Sequence, residues 1–487
     1  MKLYGTIFLL LVLSLQSFAQ NRYTINGTVT DSNTGEFLIG ANIFLTTTLE
    51  GATTNGYGFY SLTVSDRDSI GIQYSYLGYE PQIMKIVFDG NLRLNIELQP
   101  ISQVIDEVVV TAERRDKNVR ETQMGVLDIP LAKIKELPVI LGEPDVLKVI
   151  QLLPGVQTGN EGTTGYFVRG GNADQNLVLL DEAIVYNPNH LVGIVSAFNS
   201  RAINNVTLIK GGFPSQFGGR LSSILDINMK EGNLKKFSGE GGIGLISSQL
   251  TLEGPLKKDE SSFIISARRS YFDVVIKPFL SKKVKTDYVL YDVNAKVNYK
   301  IGSNDRIYLS GFLSKDDAFY SQDGIEYNLL IDNKAATLRW NHIFGPKLFA
   351  NTSLIYSQYN QDVSALQDNA FSSTLSGIED LSAKIDIEFY PNQKQRIKFG
   401  LQYFNHTFRS LGDSRAFTTT PQNPEIPRDS VPVKRFNEIA LFVNDDIRLS
   451  EKVSVNIGLR APAFFNNSAS YIRLEPRVAT KIGINET

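Results

Sequence analysis

The side chains that most often carry out chemistry in proteins are scarce in this sequence. It has no cysteine, and its three histidines, His190, His342 and His406, lie far apart along the chain. Zinc sites and nucleophilic catalysis require clusters of suitable residues brought together in one place. We therefore expect no metal site, no cofactor and no enzymatic activity.

A different kind of chemistry, pairing through the backbone, is open to one short segment. Residues 106–112 are β-branched at their centre and precede the charged stretch 113–117. They are Asp106, Glu107, Val108, Val109, Val110, Thr111 and Ala112. An extended segment of this kind can add a strand to the sheet edge of a partner protein. The alternative is an ordinary strand of a flanking domain.

Glycine-rich corners supply a second group of candidate residues. The group consists of Arg169, Gly170, Gly171, Asp181, Lys210, Gly211, Gly212, Gly218, Gly219 and Arg220. Glycine permits tight corners that other residues adopt only with strain, so we predict a packing role, with ligand contact as the alternative. A single Arg-Gly-Gly copy and a net charge of -2 do not support nucleic-acid binding, which depends on excess lysine and arginine.

The N-terminal residues 1–19 have the features of a cleavable export signal. Lys2 precedes the apolar residues 7–15, and small residues at positions 17 and 19 predict cleavage after Ala19. The apolar run is too short to span a bilayer, and no later apolar run is long enough. Any insertion into a membrane would therefore require a β-barrel.

Residues 20–232 predict two small domains joined by a linker. In residues 20–100, turn signals separate short strands at 23–30, 42–45, 58–64, 69–76, 82–87 and 92–98, which predicts a β-sandwich. Residues 101–120 are a linker that contains the run 106–112. Residues 121–232 mix helix and strand signals, with helices expected at 144–153 and 194–199.

Residues 233–487 show the alternation that is typical of a transmembrane β-barrel. Between 288 and 301, for example, apolar side chains occupy one face and polar ones the other, and about twelve such strands follow one another. Short turns alternate with long connections, predicted at 273–287, 315–333, 360–378 and 410–435. Twelve strands in an open sheet would leave unpaired edges in lipid, so we expect a C-terminally truncated piece of a larger barrel. A complete twelve-stranded barrel and a large soluble β-protein are the alternatives.

Several motifs resemble the plug of TonB-dependent outer-membrane receptors. They are DVLKVIQLLPGV at 145–156, FVRGGNADQN at 167–176 and FGGRLSS at 217–223, in that order. One departure lies at Glu182 or Ala183, where that family usually has glycine. Residues 22–99 resemble the carboxypeptidase-regulatory-like domain of Bacteroidetes-type receptors, through GTVTD at 27–31 and NGYGFY at 55–60. Residues 106–112 are similar to their TonB box.

The resemblance implies a mainly β fold: a small β-sandwich, an α/β plug at 121–232 and the N-terminal part of an antiparallel barrel. It also implies an outer-membrane location, with lipid around the barrel and the N-terminal domain in the periplasm. TonB, driven by ExbB/ExbD, would bind the box and make the plug admit a scarce or bulky substrate. That substrate could be a small molecule, glycan or peptide, and a surface lipoprotein is a further candidate partner. Arg169 is expected to pair with Asp181 or with carboxylates of the barrel wall.

Two other functions stay open from the sequence. A passive outer-membrane pore or structural protein would explain the barrel without energy coupling. A secreted carbohydrate-binding or adhesive β-protein would explain the export signal and the many strands without a membrane.

Overall fold

The computed structural model describes twelve stretches of the chain. They are residues 22–48, 50–65, 69–87, 89–101, 125–130, 144–159, 164–190, 193–281, 283–416, 431–450, 452–466 and 468–483. The predicted export signal and the run 106–112 lie outside these stretches. Within them the chain is mainly β, as the sequence predicts.

The N-terminal part is a sandwich of two four-stranded sheets. Its strands are β1 (Arg22–Asp31), β2 (Asn42–Leu45), β3 (Gly51–Thr53), β4 (Phe59–Ser65), β5 (Ile70–Ser75), β6 (Gln82–Ile86), β7 (Leu92–Arg93) and β8 (Ile96–Leu98). One sheet has the order β4-β1-β7 with β8 also on β1, and the other the order β3-β2-β5-β6. Ile25 and Leu62 of the first sheet pack against Ile43 and Ile72 of the second in one apolar core. We call this unit the sandwich.

The middle part, which we call the plug, is built around a mixed five-stranded sheet. Its elements are β9 (Val126–Pro130), α1 (Val146–Gln151), β10 (Val156–Thr158), β11 (Tyr166–Val168), β12 (Asn176–Leu180), β13 (Ala183–Ile184), β14 (Asn189–His190), β15 (Val195–Ser196), β16 (Ile203–Ile209) and β17 (Ser223–Met229). The sheet order is β13-β12-β17-β16-β9. Helix α1 begins where the Asp145 side chain accepts hydrogen bonds from the backbone N–H groups of Leu147 and Lys148. The prediction of a helix at 194–199 is wrong, because β15 pairs with β14 there.

The C-terminal part is one antiparallel sheet of thirteen strands, which we call the wall. Its elements are β18 (Ser238–Ile243), β19 (Ser247–Lys257), β20 (Ser261–Ser270), α2 (Phe272–Ile276), β21 (Lys285–Lys300), β22 (Asp305–Gln322), β23 (Ile325–Gly345), β24 (Leu348–Gln367), β25 (Ala370–Asn392), β26 (Gln395–Ala416), β27 (Val433–Arg448), β28 (Val453–Phe465), β29 (Ser470–Ile472) and β30 (Glu475–Ile482). Neighbouring strands follow chain order up to β28, which pairs with both β29 and β30.

The two faces of the wall differ in polarity. Along β23, Leu338 and Trp340 are exposed on the outer face, whereas Thr337, Arg339 and Asn341 are buried on the inner face against the plug. Apolar side chains pointing out and polar ones pointing in are the arrangement of an outer-membrane barrel strand. Among the helices of the described stretches, none is both long and apolar enough to cross a bilayer.

Two of the predicted long connections are wrong. Strands β22 and β23 stay paired as far as Gln322 and Ile325, so residues 315–333 form a tight hairpin. Strands β24 and β25 stay paired to Gln367 and Ala370, so residues 360–378 do the same. The sequence analysis predicts about twelve strands in this part of the chain, and the described residues form thirteen. The backbones of these strands stay paired beyond the apolar band of the wall. Outside that band the side chains need not alternate between apolar and polar, so the sequence pattern no longer indicates a strand.

Gly27 illustrates how the motif at 27–31 shapes the sandwich. A Cβ on Gly27 would lie 1.8 Å from the backbone oxygen of Leu94, whereas a Cβ on Gly56 would meet nothing within 4 Å. We expect Gly27→Ala to destabilise the sandwich by about 3 kcal/mol through overpacking. The matched control, Gly56→Ala, should be nearly neutral. Hydrogen exchange of the β1 and β4 amides measures both, and equal effects would contradict the packing explanation.

Candidate functional site

The plug is fastened to the inner face of the wall by buried ion pairs, and two of them start from one tight turn. Strands β12 and β13 pair at Leu180 and Ala183, so Asp181 and Glu182 form the two-residue turn between them. Both have positive φ, 46° and 74°. The left-handed conformation costs roughly 1–2 kcal/mol per non-glycine residue, so other interactions of these side chains must hold the turn.

Asp181 connects the plug turn to strand β21 of the wall. Its carboxylate lies 3.0 Å from the ammonium of Lys296, and both side chains are almost fully buried. It also accepts a hydrogen bond of 2.9 Å from the backbone N–H of Met229. The hydroxyl of Thr337 donates to the Asp181 carbonyl at 2.9 Å. This one residue therefore binds two wall strands and the neighbouring plug strand.

Glu182 faces the next part of the wall. Its Oε1 lies 2.9 Å from Nε of Arg339, a residue that is only 5% exposed. The side-chain amide of Asn351 donates to the same oxygen at 3.0 Å. Burial acts to raise the pKa of Glu182, but attraction to Arg339 and Lys384 and the hydrogen bond from Asn351 outweigh it and hold the pKa at about 2. Glu182 is therefore ionised at neutral pH.

A second buried cluster joins the plug to strands β20, β21 and β22. His190 of the plug places Nδ1 2.8 Å from Asp316 and Nε2 3.6 Å from Asp292. Arg268 lies 2.6 Å from the same Asp292 oxygen and donates to the Ser196 carbonyl of the plug at 2.7 Å. Burial lowers the pKa of His190, but interaction with the two carboxylates prevails and raises it above 6.5.

A third attachment uses plug carbonyls and arginines of the last strands. Arg477 donates from Nη1 to the carbonyls of Phe213, Pro214 and Phe217 at 3.1, 2.8 and 2.8 Å. Arg460 donates to the Gln216 carbonyl at 3.2 Å. These four hydrogen bonds, made by two arginines, attach the plug to strands β28 and β30 of the wall.

The glycine corners lie where side chains of other residues approach closely. A Cβ on Gly218 would sit 2.5 Å from Nε of Arg460, and one on Gly171 would sit 2.4 Å from the Ser222 hydroxyl. Four further glycines of the group have positive φ: Gly170, Gly211, Gly212 and Gly219. These positions favour glycine for packing and backbone reasons.

Of the two partners predicted for Arg169, Asp181 is wrong, and pairing with carboxylates of the wall stays a prediction. Asp181 pairs with Lys296 instead, whereas Arg169 points at Gly211, where a Cβ would lie 2.6 Å from its Nη1. Lys210 donates to the Pro154 carbonyl at 2.6 Å. The guanidinium of Arg220 stands 6.0 Å from the ring centre of Tyr186.

Sequence reasoning missed the residues that fasten the plug. Glu182, His190, Lys296 and Arg339 were not singled out for this role, although two signals were present. An acidic residue stands at 182 in the pair 182–183, where the resemblance leads one to expect a glycine, and Lys296 and Arg339 occupy polar positions of strands with alternating polarity. The described residues contain no group of His, Asp and Glu arranged to hold a metal ion.

A sheet that is polar on the face toward a plug and apolar on the other face has the arrangement of part of a plugged outer-membrane barrel. Three family models match the chain: a CarboxypepD_reg-like domain at residues 25–110, a TonB-dependent receptor plug domain at 119–223 and a TonB-dependent receptor-like β-barrel at 272–475. The chain belongs to the TonB-dependent receptors, a family of outer-membrane transporters and not of enzymes. The resemblance found in the sequence is thereby confirmed.

Individual relatives agree with this assignment. The TonB-dependent receptor SusC of Bacteroides thetaiotaomicron is 27% identical over 235 residues, which cover 45% of this chain and 22% of SusC. A TonB-dependent receptor of Formosa agariphila is 27% identical over 197 residues, covering 38% of this chain and 19% of the relative. The chain thus spans about a fifth of these relatives.

Solved structures share the fold. A mutant of the ferric enterobactin receptor PfeA from Pseudomonas aeruginosa matches with a TM-score of 0.54 and 13% identity, over 74% of this chain and 60% of that one. The outer membrane transporter YddB from Escherichia coli matches with a TM-score of 0.55 and 12% identity, over 73% and 58%.

The role of the Glu182 carboxylate can be separated from the strain of its turn. Glu182→Gly relieves the left-handed backbone but leaves Arg339 buried without this partner, so we expect plug opening to become easier by about 2 kcal/mol. Glu182→Gln keeps the strained backbone as well as removing the charge, so it should lower the free energy of plug opening by more than Glu182→Gly does. Hydrogen exchange of the plug amides measures both. A glycine variant that opens less readily than the wild type would disprove the fastening role.

The His190 cluster predicts a pH dependence of plug fastening. Because the folded protein raises the pKa of His190 above 6.5, its stabilisation is complete below that pH and is lost as the pH rises through the higher value. His190→Gln should flatten this part of the profile. His342→Gln is the control, since His342 pairs with Asp305 within the wall, at 2.6 Å. Plug hydrogen exchange from pH 5 to 9 tests this, and identical profiles for wild type and His190→Gln would contradict it.

Proposed function

We propose that this protein takes part in energy-coupled uptake of a scarce or bulky substrate across the outer membrane. The observation that carries the proposal is the set of buried ion pairs and hydrogen bonds between plug and wall, which lies beside an apolar contact of Phe198 with Phe312. A polar interface of this kind can be exchanged for water when the plug is pulled, because the freed charges are hydrated outside the protein. A plug that merely blocked a pore would gain more from an apolar interface.

The order of the segments along the chain supports a force that acts on the plug from the side of the sandwich. Residues 106–112 lie between the sandwich and the plug, so a protein that binds them is attached directly to the plug strand β9 and beyond. The sandwich contacts the ends of wall strands that are joined by short turns, such as residues 301–304, where Arg93 donates to the Ser303 carbonyl at 2.6 Å. Short turns face the periplasm in outer-membrane barrels, and all the connections of strands β21 to β28 at this end are short, whereas the opposite end also carries the long connection between β26 and β27. We therefore place the sandwich and residues 106–112 in the periplasm, after cleavage of the export signal following Ala19.

The proposed partners follow from this arrangement. TonB binds residues 106–112 by adding their backbone to its sheet, and ExbB/ExbD supply the energy. The substrate is a small molecule, glycan or peptide, and a surface lipoprotein would deliver it. A passive pore remains the second candidate, and the absence of TonB binding would favour it.

Backbone pairing at residues 106–112 can be tested with matched substitutions. Val109→Pro removes a backbone N–H and blocks strand pairing, so the affinity for purified TonB C-terminal domain should fall at least tenfold. Val109→Thr keeps the β-branched shape and should bind as the wild type does. Deletion of residues 106–112 should abolish binding. Calorimetry or surface plasmon resonance on the purified receptor gives the affinities. Unchanged binding in all three variants would disprove the TonB-box assignment and favour the passive pore.

A further inference from the structure

The sandwich inserts one turn into the inner side of the wall. Residues 54–58 connect β3 to β4, and the Asn55 side chain stiffens them by accepting from the backbone N–H groups of Tyr57 and Phe59, at 2.9 and 3.0 Å. The Asn55 amide then donates to Glu388 of β25 at 3.1 Å, in a buried contact. Hydrogen bonds within the turn therefore order it, and a hydrogen bond to the wall holds it in place.

Two aromatic side chains anchor this turn. The rings of Tyr57 and Phe59 both stack on Phe349 of β24, with centroids 5.3 and 5.4 Å away. Phe59 also packs at 6.0 Å from Tyr390 of β25 and is completely buried. A phenylalanine of one domain that is fully buried against another domain indicates a formed interface, since burial of such a ring is strongly favourable.

Tyr57 reaches the strained turn of the plug. Its hydroxyl donates to Glu182 at 3.1 Å, and its ring lies 5.3 Å from the guanidinium carbon of Arg339. One side chain of the sandwich thus touches both members of the ion pair that fastens the plug to the wall. The strained Asp181–Glu182 turn is held from three sides, by the wall, by the neighbouring plug strand and by the sandwich.

A second set of contacts fixes the sandwich where the chain passes from plug to wall. The backbone N–H of Glu231 donates to the Glu36 carboxylate at 2.8 Å, and that of Leu234 donates to the Thr34 carbonyl at 2.7 Å. Lys235 pairs with Glu97 at 2.7 Å. With attachments at both places, the sandwich cannot tilt away from the plug turn while the second set is intact.

We propose that the sandwich is a lock on the plug: its turn at residues 54–59 holds the Asp181–Glu182 turn in place, and the plug moves only after the sandwich detaches. The inference rests on the proposed function, since a lock matters only for a plug that moves. It assigns the N-terminal domain a regulatory role and makes Tyr57 a positioning residue that acts through Glu182 and Arg339.

Hydrogen exchange of the purified full chain tests the lock without TonB or substrate. Tyr57→Phe keeps the ring and removes the hydroxyl, and Phe59→Ala removes the anchor. We expect exchange of the amides at 179–185 to become about tenfold faster in Tyr57→Phe, as for loss of a hydrogen bond to a charged group, and faster still in Phe59→Ala. The control is Tyr79→Phe, which removes a hydroxyl bond to Asp31, at 2.6 Å, inside the sandwich. It should leave exchange at 179–185 unchanged.

A covalent version of the lock gives the opposite change. The chain has no cysteine, so Arg93→Cys with Ser303→Cys, at an exposed contact between sandwich and wall, allows one specific cross-link through a short bismaleimide. Cross-linked protein should exchange more slowly at 179–185 than the same variant before cross-linking. The lock is overturned if Tyr57→Phe and Phe59→Ala leave this exchange unchanged, or if Tyr79→Phe accelerates it equally. Because TonB is absent, these results are independent of the TonB-binding assay, so the two proposals can fail separately.

Discussion

The need to pair buried charges governs this structure. A membrane-spanning strand that is apolar outside leaves polar side chains inside, and the plug must meet that surface. Lys296 and Arg339 are nearly inaccessible to water, so each requires an acidic partner, and the plug provides Asp181 and Glu182. Removing one partner of a buried pair is costly, whereas separating both into water is far less so. The plug and the wall are therefore held together by ion pairs that depend on both partners.

The plug turn shows what such pairing costs the backbone. Glycine would suit the left-handed positions 181 and 182 better than aspartate and glutamate do. The acidic residues are retained because their carboxylates bind the wall, and the contacts to Lys296, Arg339 and Asn351 stabilise a turn that would otherwise be unfavourable. Strain of this kind is found at functional sites, where the surroundings enforce it. If these contacts were broken, the backbone of the turn would be free to leave the unfavourable left-handed conformation.

The sandwich extends the same principle beyond the plug. Its apolar anchor Phe59 positions the hydroxyl of Tyr57, so an aromatic interface places a polar group beside a buried ion pair. Family models match the plug and the wall to TonB-dependent receptors, whereas the sandwich is an additional unit matched by its own family model. In this chain that unit contacts the plug directly, through Tyr57 and Glu182, rather than being attached only through a linker.

The sequence by itself determined the class of fold and the family. Alternating side chains, glycine corners and turn residues are local features, so the sandwich, the plug motifs and the wall strands could be predicted from neighbours along the chain. Tertiary structure decided the contacts between parts. The Tyr57 hydroxyl donates to Glu182, which lies 125 residues further along the chain, and Asp181 forms its ion pair with Lys296 rather than with Arg169. Tertiary structure also set the length of strands β22 to β25, because their backbones stay paired beyond the point where apolar and polar side chains stop alternating. Such contacts depend on register and domain placement, which no local pattern encodes.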